Sequence, residues 1–312
     1  MEEYFILNKV YILKEHFTLH RGPILNYIRD DNEIKNSFIN IDASRIVNEI
    51  NGKRNLQQVI ENLALRYNEN YTELKDTIIK FINENNYLFT INKFSNVNEP
   101  VGNWDIQVPI HISVELTDYC NLKCKHCYNN CSSDNSNFVD KKELLSVLHE
   151  LKNLGLSSIE LTGGEPLSHP DFNEIVEYSL NLFNLVVIIS NGTLLDQKKI
   201  QLFKRHKNKL KLQISLNGSN ESFVDSFCDV KGSFEKVKNT LKQFNNENID
   251  CVVAITITPQ NISDVFNIIS LVKSLGIDKW RYSFAIPVGR AKSNEFNFSK
   301  EDIGTIEREF RK

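Results

Sequence analysis

The sequence predicts an α/β protein: a partial (βα)6 TIM barrel preceded by a small winged-helix-like α+β domain. Two observations predict this architecture. After residue 108, short β-rich runs alternate six times with segments of helical periodicity, which is typical of a parallel sheet with outer helices. Before residue 97, strand-like runs are instead followed by three consecutive amphipathic helical segments.

The N-terminal domain is predicted to span residues 1–96, a size that can fold alone. Its first run, FILNKVYIL, alternates like strands, and SFINI resembles a short edge strand. Apolar residues three and four apart then predict helices, and YLFTIN closes the domain as a strand. The three predicted helices are DASRIVNEI, NLQQVIENLALRY and YTELKDTIIKFINEN.

A linker is predicted over residues 97–107, where periodicity lapses and Pro100 and Gly102 interrupt the sequence. The barrel domain then occupies residues 108–312. In such a fold the chemistry lies at the C-terminal ends of the strands. The predicted strand and helix pairs are IHISVELT with DKKELLSVLHELKNLG, SSIELTGG with PDFNEIVEYSLNLF, LVVIIS with DQKKIQLFKRH, LKLQISLN with SFEKVKNTLKQFNNE, CVVAITIT with ISDVFNIISLVKSLG, and WRYSFAI with SKEDIGTIEREFRK.

Composition and charge limit the classes of function that the protein can have. The 312 residues are 41% hydrophobic, and 37 basic residues against 40 acidic ones give a formal charge of −3. This balance offers no general attraction to nucleic acid or to an anionic membrane. The N-terminus resembles no targeting signal, and apolar runs fall short of the roughly 20 residues that cross a bilayer. We therefore expect a cytoplasmic protein, whose clustered cysteines are metal ligands or redox groups rather than disulfides.

Four cysteines lie in twelve positions, CNLKCKHCYNNC at 120–131, directly after the first barrel strand. A structural zinc is one interpretation, although zinc knuckles usually pair two C-x2-C motifs across a longer stretch. The spacing excludes a bacterial ferredoxin run. What remains is C-x3-C-x2-C from Cys120, Cys124 and Cys127, with Cys131 as an extra thiol. Three thiolates can hold a 4Fe-4S cluster while leaving one iron open.

The segment CNLKCKHCY resembles the cluster motif of radical S-adenosylmethionine (SAM) enzymes. Further matches follow in the family's order, each at a strand end, over roughly residues 108–291. They are LTGGEPLSHPDF at 161–172, SNGTLL at 190–195, QISLNGS at 213–219, KGSFEKV at 231–237 and IPVGRA at 286–291.

The resemblance implies two cofactors, a 4Fe-4S cluster and SAM, and assigns residues to each. Cys120, Cys124 and Cys127 are the implied cluster ligands. In the implied SAM site, the GGEP element contacts the amino group and an aromatic position contacts adenine; two strand-end loops lie at the ribose and the carboxylate. These implied SAM-site residues are Gly163, Gly164, Glu165 and Pro166 (GGEP), His126 (adenine), Ser190 and Asn191 (ribose), and Ser215 and Asn217 (carboxylate).

Simpler explanations exist for several of these residues. Glu165 is also typical of a helix-capping acid. His126 is compatible with a zinc ligand or an exposed histidine. Turn chemistry alone accounts for the residue types at Ser190, Asn191 and Ser215.

The sequence departs from the family pattern at two positions. Asn217 stands where the family usually has Asp, and Cys228 lies near where relatives often carry Arg. Cys228 and Cys251 otherwise fit ordinary buried cysteines. Cys131 is either a spare loop thiol, which we favour, or a ligand or catalytic thiol of a modified site.

The N-terminal domain resembles the recognition element for ribosomally made peptides, related to the PQQ-biosynthesis peptide chaperone. In that family a leader peptide adds as a strand to an exposed sheet edge, here SFINI, and packs on the neighbouring helix, here YTELKDTIIKFINEN. The alternatives are an ordinary winged-helix domain or a DNA-binding one, but no helix of this domain is strongly basic.

Together the resemblances imply a radical SAM oxidoreductase that matures a precursor peptide, for example by forming a thioether crosslink. An electron donor such as flavodoxin or ferredoxin would serve the cluster. The alternatives are radical SAM chemistry on a haem or quinone precursor, or a degenerate leader-binding adaptor. Many peptide-modifying relatives carry a SPASM or twitch extension with further cysteines. This chain stops at Lys312, so it is either a fragment or a single-cluster enzyme.

Overall fold

The computed structural model of the chain describes residues 6–33, 35–91, 99–294 and 296–310. The predicted domain end at residue 96 and linker start at residue 97 lie outside these residues. Contacts divide the chain into two compact units. The first contains Met1–Ile110 and Glu150–Leu156, and the second contains His111–His149 and Ser157–Lys312.

The first unit combines two small sheets with three helices, counted over its described residues. One sheet is the antiparallel pair β1–β5, and the other has the strand order β4-β3-β2-β6. Asparagine side chains cap the N-termini of all three helices. The elements are β1 (Tyr11–Leu13), β2 (Phe17–Arg21), β3 (Asn26–Asp30), β4 (Lys35–Ile39), α1 (Ile41–Glu49), α2 (Leu56–Tyr67), α3 (Tyr71–Glu84), β5 (Phe89–Ile91) and β6 (Val101–Gly102).

Several features of this unit differ from the sequence prediction. Only residues 37–39 of the predicted SFINI strand lie in β4, because Asn40 caps helix α1 and Ile41 begins it. Residues 6 and 7 are helical, so only the end of the predicted FILNKVYIL strand forms β1. Strands β2 and β3 were not predicted, yet they form the centre of the larger sheet. The three helices were predicted correctly to within one residue at each end.

The core of the first unit forms where the apolar faces of the helices meet the strands. Leu56, Ile60 and Ile78 are almost completely buried there. Half-buried Ile39 of β4 and Leu74 and Ile79 of α3 pack against the same core. The edge strand and the third helix therefore border one continuous apolar cluster.

The second unit confirms the predicted partial barrel. Within the described residues, six parallel strands form one sheet in the order β12-β11-β10-β9-β8-β7. Its strands are β7 (His111–Glu115), β8 (Ser158–Thr162), β9 (Leu185–Ser190), β10 (Leu210–Ser215), β11 (Cys251–Ile257) and β12 (Trp280–Phe284). The helices that follow its strands are α4 (Lys141–Asn153), whose residues from Glu150 onward are counted with the first unit, α5 (Phe172–Leu182), α6 (Gln197–Arg205), α7 (Glu221–Cys228), α8 (Ser233–Asn246), α9 (Val265–Ser274), α10 (Arg290–Ser293) and α11 (Lys300–Phe310).

The strand order fixes where the loops meet. Because all six strands run parallel, their C-terminal ends lie at one edge of the sheet. The cysteine loop follows β7, Gly163 and Gly164 follow β8, and Asn191 follows β9. Loops that are distant in sequence therefore converge on one side of the second unit. In the part of the chain that the structure describes, no helix is long and apolar enough to span a membrane.

Candidate functional site

A pocket lies where the strand-end loops of the second unit converge. Five of the six cysteines line it, together with both glycines of the GGEP element and residues from the loops after β9 and β10. Those among the predicted site residues are Cys120, His126, Cys124, Cys127, Gly163, Gly164, Ser190, Asn191, Ser215 and Asn217. Glu165 and Pro166, by contrast, are buried behind the pocket wall.

The cysteine loop is held in shape by backbone hydrogen bonds. The Cys120 amide donates to the Ser132 carbonyl at 3.1 Å, and the Cys127 amide donates to the Cys124 carbonyl at 3.2 Å. Helix α7 ends against the loop, because the Lys123 amide donates to the Cys228 carbonyl at 2.9 Å. The loop therefore presents its thiols in a defined arrangement.

Burial and crowding favour the protonated thiol at Cys120, Cys124 and Cys131. Burial raises the pKa of Cys120 to about 12 and that of Cys131 to about 12. The pKa of Cys124 is also raised, first by its hydrogen bond with the Cys228 thiol and then by burial. Because metals bind thiolates, loading this site releases protons.

The donor set fits an iron–sulfur cluster better than a single ion. In the described ranges no three His, Cys, Asp or Glu side chains converge as ligands of one metal ion. The cysteines of a cluster bind different iron atoms and need not converge on one point. Three motif thiols lining one pocket provide that arrangement.

The two glycines of the GGEP element are required by a close approach between loops. The Gly164 amide donates to the Thr117 carbonyl at 2.6 Å, and a Cβ on Gly164 would lie 2.0 Å from the Tyr119 carbonyl oxygen. Gly163 has φ +128°, and its Cβ would lie 2.4 Å from the Thr117 carbonyl oxygen. The glycines thus bring the β8 loop against the start of the cysteine loop.

Glu165 ties three loops together from beneath the pocket. Its carboxylate accepts hydrogen bonds from the Leu167 amide (2.9 Å), the Ser190 hydroxyl (2.8 Å) and the Asn191 amide (2.7 Å). The Leu167 bond caps the short 3-10 helix Pro166–Ser168, as the simpler explanation predicted. The structure therefore places Glu165 as a support of the site rather than a group facing the pocket.

Complete burial outweighs these hydrogen bonds and raises the pKa of Glu165 to about 7. A carboxyl whose pKa is higher in the folded than in the unfolded protein stabilises the fold most at low pH. We expect the cluster-free protein to lose about 3 kcal/mol of stability from this group as pH rises from about 4.5 to 7.

Glu165→Gln should flatten that part of the pH dependence, measured by urea unfolding of the cluster-free protein at pH 5, 6, 7 and 8. Exposed Glu174→Gln on α5 is the matched control. Equal pH slopes for Glu165→Gln and the wild type would contradict the assignment.

His126 occupies the aromatic position of the motif. Its ring stacks on Phe227 with centroids 5.0 Å apart and planes at 14°. Burial, and then the charge of Arg290, lower its pKa to about 4, so the ring is neutral at pH 7. Its Nδ1 is buried and has no hydrogen-bond partner among the described residues. A neutral, pocket-lining ring with an unsatisfied nitrogen fits contact with a planar, hydrogen-bonding ligand.

The loop after β9 contacts the proposed cluster site directly. The Asn191 side-chain amide lies 3.7 Å from the Cys120 sulfur and donates to Asn121 Oδ1 at 2.9 Å. The Ser190 hydroxyl is already engaged with Glu165. Hydrogen bonds to ligand sulfurs tune cluster potentials, and Asn191 lies beside the sulfur of one proposed ligand.

The loop after β10 is anchored to the neighbouring strand. Asn217 Oδ1 accepts from the Thr256 amide at 2.7 Å, and the Asn217 carbonyl accepts from Asn261 Nδ2 at 2.9 Å. The replacement of Asp by Asn therefore keeps the acceptor that this position uses. Ser215 lines the pocket at the end of β10.

Three residues outside the predicted site set also line the pocket. Arg290 lines the pocket, although its segment IPVGRA was noted only as a family match. Cys228 and Cys131 also line it, and their thiols lie within hydrogen-bonding range of Cys124 and Cys127 respectively. The buried-cysteine interpretation holds for Cys251, whereas Cys228 is buried beside the site.

The arrangement of a cysteine loop, a GGEP support and strand-end loops around one pocket matches a known family. The family model described as Radical SAM superfamily matches residues 114–272, about half of the chain. The chain belongs to the radical SAM superfamily. The family identifies the cofactors of this chain as a 4Fe-4S cluster and SAM.

Curated relatives extend the similarity beyond that segment. The antilisterial bacteriocin subtilosin biosynthesis protein AlbA of Bacillus subtilis is 28% identical over 284 residues, which is 88% of this chain and 63% of AlbA. The sporulation killing factor maturation protein SkfB of the same organism is 30% identical over 190 residues, 61% of this chain and 46% of SkfB. The chain thus spans less than two thirds of either relative.

The fold is also similar to a solved structure. Streptococcus suis SuiB, crystallised with the precursor peptide SuiA, has a TM-score of 0.72 and 13% sequence identity. The match covers 96% of this chain and 68% of SuiB. At this identity the likeness concerns the fold, which is shared over both units of the chain.

Proposed function

We propose that this radical SAM protein is an enzyme that modifies a ribosomally synthesised precursor peptide. The observation that carries the proposal is the extent of the similarity to AlbA, which covers 88% of this chain, whereas the family segment covers residues 114–272 alone. The N-terminal unit is therefore part of what the chain shares with a bacteriocin biosynthesis protein. SkfB, a second relative, is named as a maturation protein.

The proposed cluster ligands are Cys120, Cys124 and Cys127. When bound, the reduced cluster and SAM supply a 5′-deoxyadenosyl radical, which abstracts a hydrogen atom from the substrate. The protein holds the thiols on one loop, buries Cys120, leaves Cys124 and Cys127 half-buried, and places His126 and Asn191 beside them. Because the cluster takes up one electron, we propose a flavodoxin- or ferredoxin-type donor, and the reducing cytoplasm as the compartment; all six cysteines are free.

The SAM-binding residues are proposed from the pocket lining. The residues proposed to supply backbone and amide groups to the methionine end line the same pocket as the motif loop; they are Gly163, Gly164, Ser215 and Asn217. His126, Ser190 and Asn191 serve the adenosine end. Glu165 and Pro166 support the pocket wall from behind, because both are buried outside the pocket.

We propose residues 1–96 as the peptide-binding domain, 97–107 as a linker and 108–312 as the catalytic domain. Strand β4 is suited to leader binding, because in the described part of the sheet it pairs with β3 on one side and has no strand on the other. An added peptide strand would complete its hydrogen bonds. Ile39 of β4 and Leu74 of α3 border the same core, so apolar leader side chains would continue that cluster.

Coexpression with short peptides encoded beside the gene tests the function. A crosslink between a cysteine sulfur and an α-carbon removes two hydrogen atoms from the peptide, which mass spectrometry detects. We expect this loss with the wild type and not with Cys124→Ala. Release of 5′-deoxyadenosine with haem or quinone precursors, and with none of the peptides, would instead favour the small-molecule alternative.

Phe38 gives a specific test of the leader site. It lies on β4, its side chain is 61% exposed, and it packs edge-on against Tyr27 with ring centroids 6.1 Å apart. We expect Phe38→Asp to weaken binding of the modified precursor at least about tenfold, or about 1.4 kcal/mol, because a charge replaces apolar contact. Isothermal titration calorimetry measures this change.

Leu65→Asp is the control for Phe38→Asp. Leu65 is 85% exposed on α2 of the same unit and should not change affinity when replaced. Equal affinities for the two variants would place the leader elsewhere.

A further inference from the structure

Arg290 hydrogen-bonds to the cysteine loop, although it follows the last strand of the barrel and the loop follows the first. It lies at the start of α10, after β12, and lines the pocket. Its Nε donates to the Cys124 carbonyl at 2.9 Å and its Nη2 to the Cys131 carbonyl at 2.6 Å. Its backbone amide donates to the Cys127 carbonyl at 2.9 Å. One residue thus holds the carbonyls of three cysteines.

The residues beside Arg290 also lie against the cysteine loop. Gly289 has φ +58°, and a Cβ there would lie 2.3 Å from the Tyr128 carbonyl oxygen and 2.6 Å from that of Cys127. Asn294 Nδ2 donates to the Lys125 carbonyl at 3.1 Å. The segment 289–294 therefore lies directly against the backbone of the motif loop, where a larger residue at 289 would separate them.

Only a guanidinium suits these contacts. Its planar fork donates in two directions at once, and it stays charged when partly buried. Both side-chain hydrogen bonds of Arg290 go to neutral carbonyl oxygens, so neither bond pairs its positive charge with a carboxylate. The charge lies at the site, since Arg290 lines the pocket and its Nε is 2.9 Å from the carbonyl oxygen of Cys124.

We propose that Arg290 is a positioning residue for the cluster: its guanidinium fixes the spacing of the cysteine loop and its charge raises the cluster's reduction potential. The inference rests on the cluster proposed at Cys120, Cys124 and Cys127. Reduction adds one electron to a thiolate-bound cluster, so a nearby fixed cation stabilises the reduced form. The side chain and the backbone amide of Arg290 together hold the carbonyls of Cys124 and Cys127, two of the three ligand cysteines, and that of Cys131, which slows iron loss.

Two variants separate these effects. Arg290→Gln removes both the positive charge and the planar guanidinium. Arg290→Lys keeps the charge, but its single amino group cannot bond the Cys124 and Cys131 carbonyls at once. Arg205→Gln is the matched control, because Arg205 lies on α6 with a 60% exposed side chain paired to Glu177. Each protein is reconstituted anaerobically with iron and sulfide. The readouts are the midpoint potential, from redox titration followed by electron paramagnetic resonance, and the rate of iron loss to a chelator.

We expect Arg290→Gln to lower the midpoint potential by about 59 mV, which is tenfold in the one-electron equilibrium, and to speed iron loss severalfold. Arg290→Lys should restore the potential but not slow iron loss, and Arg205→Gln should match the wild type. Wild-type values for Arg290→Gln in both readouts would overturn the inference. If Arg290→Gln does not fold, wild-type iron retention in Arg290→Lys overturns it. A wild type that builds no cluster refutes the proposed ligand set itself, a result distinct from a cluster that is indifferent to Arg290.

Discussion

Replacing Cys124 by alanine is expected to abolish the cluster. The variant leaves two of the three proposed ligands, and two thiolates do not hold a 4Fe-4S cluster against loss of iron. Iron content and the sulfide-to-iron charge-transfer absorption after anaerobic reconstitution should fall to background. Cys120→Ala and Cys127→Ala should behave alike.

Cys251→Ala is the control for this loss, because Cys251 is a cysteine of the second unit that lies buried on β11, away from the pocket. Cys131→Ser tests the spare-thiol interpretation and should retain the cluster. A Cys124→Ala protein with wild-type iron content would contradict the proposed ligand set.

The Gly164→Ala substitution is expected to be nearly as damaging by a different route. The added methyl would lie 2.0 Å from the Tyr119 carbonyl oxygen and 2.5 Å from its carbon, both backbone atoms that cannot rotate away. The β8 loop and the cysteine loop must then separate, which breaks the 2.8 Å bond from the Glu165 amide to the Tyr119 carbonyl. We expect a loss of about 3 kcal/mol in urea unfolding, together with poor cluster retention.

Gly232→Ala supplies the matched control for this steric argument. Gly232 has φ +81°, but nothing lies within 4 Å of the position its Cβ would take. Its replacement should therefore cost only the backbone strain, about 1 kcal/mol, and leave the cluster intact. Similar losses in both variants would show that the approach of the two loops is not what requires Gly164.

Much of the barrel was predictable because its strands are marked by local pattern. The run LVVIIS is continuously apolar and became β9, and the helices that follow each strand repeat at helical spacing. The edge of the sheet at which the loops meet follows from the parallel order alone. This is why the sequence alone predicts that the cysteine loop lies at the reactive face.

Strands β2 and β3 escaped prediction because polar residues are buried in them. His20, Asn26 and Arg29 are each at most 4% exposed, so the alternation of apolar and polar residues is masked. Buried polar side chains in these strands form hydrogen bonds with residues far along the chain, for example Asn26, which accepts from Trp104 at 3.2 Å. Helix α7 was missed for another reason, since eight residues give too few turns to establish a period.

At the site, sequence indicated which residues gather but not what each one touches. Glu165 was matched to a SAM-contacting motif, yet its carboxylate is committed to Leu167, Ser190 and Asn191. The bond from Arg290 to Cys124 joins residues 166 positions apart, and no local pattern encodes such a contact. Motif matching thus finds the members of the site, whereas their division into ligand-facing and supporting groups requires the tertiary structure.

The central claim is that this pocket holds a cluster that cleaves SAM, and the most direct measurement is 5′-deoxyadenosine formation. Reconstituted protein is reduced with dithionite in the presence of SAM, and the product is quantified by chromatography and mass spectrometry. We predict 5′-deoxyadenosine with the wild type and none with Cys124→Ala. A wild type that carries a full cluster and binds SAM yet releases no 5′-deoxyadenosine would contradict the account and leave the chain as a leader-binding adaptor.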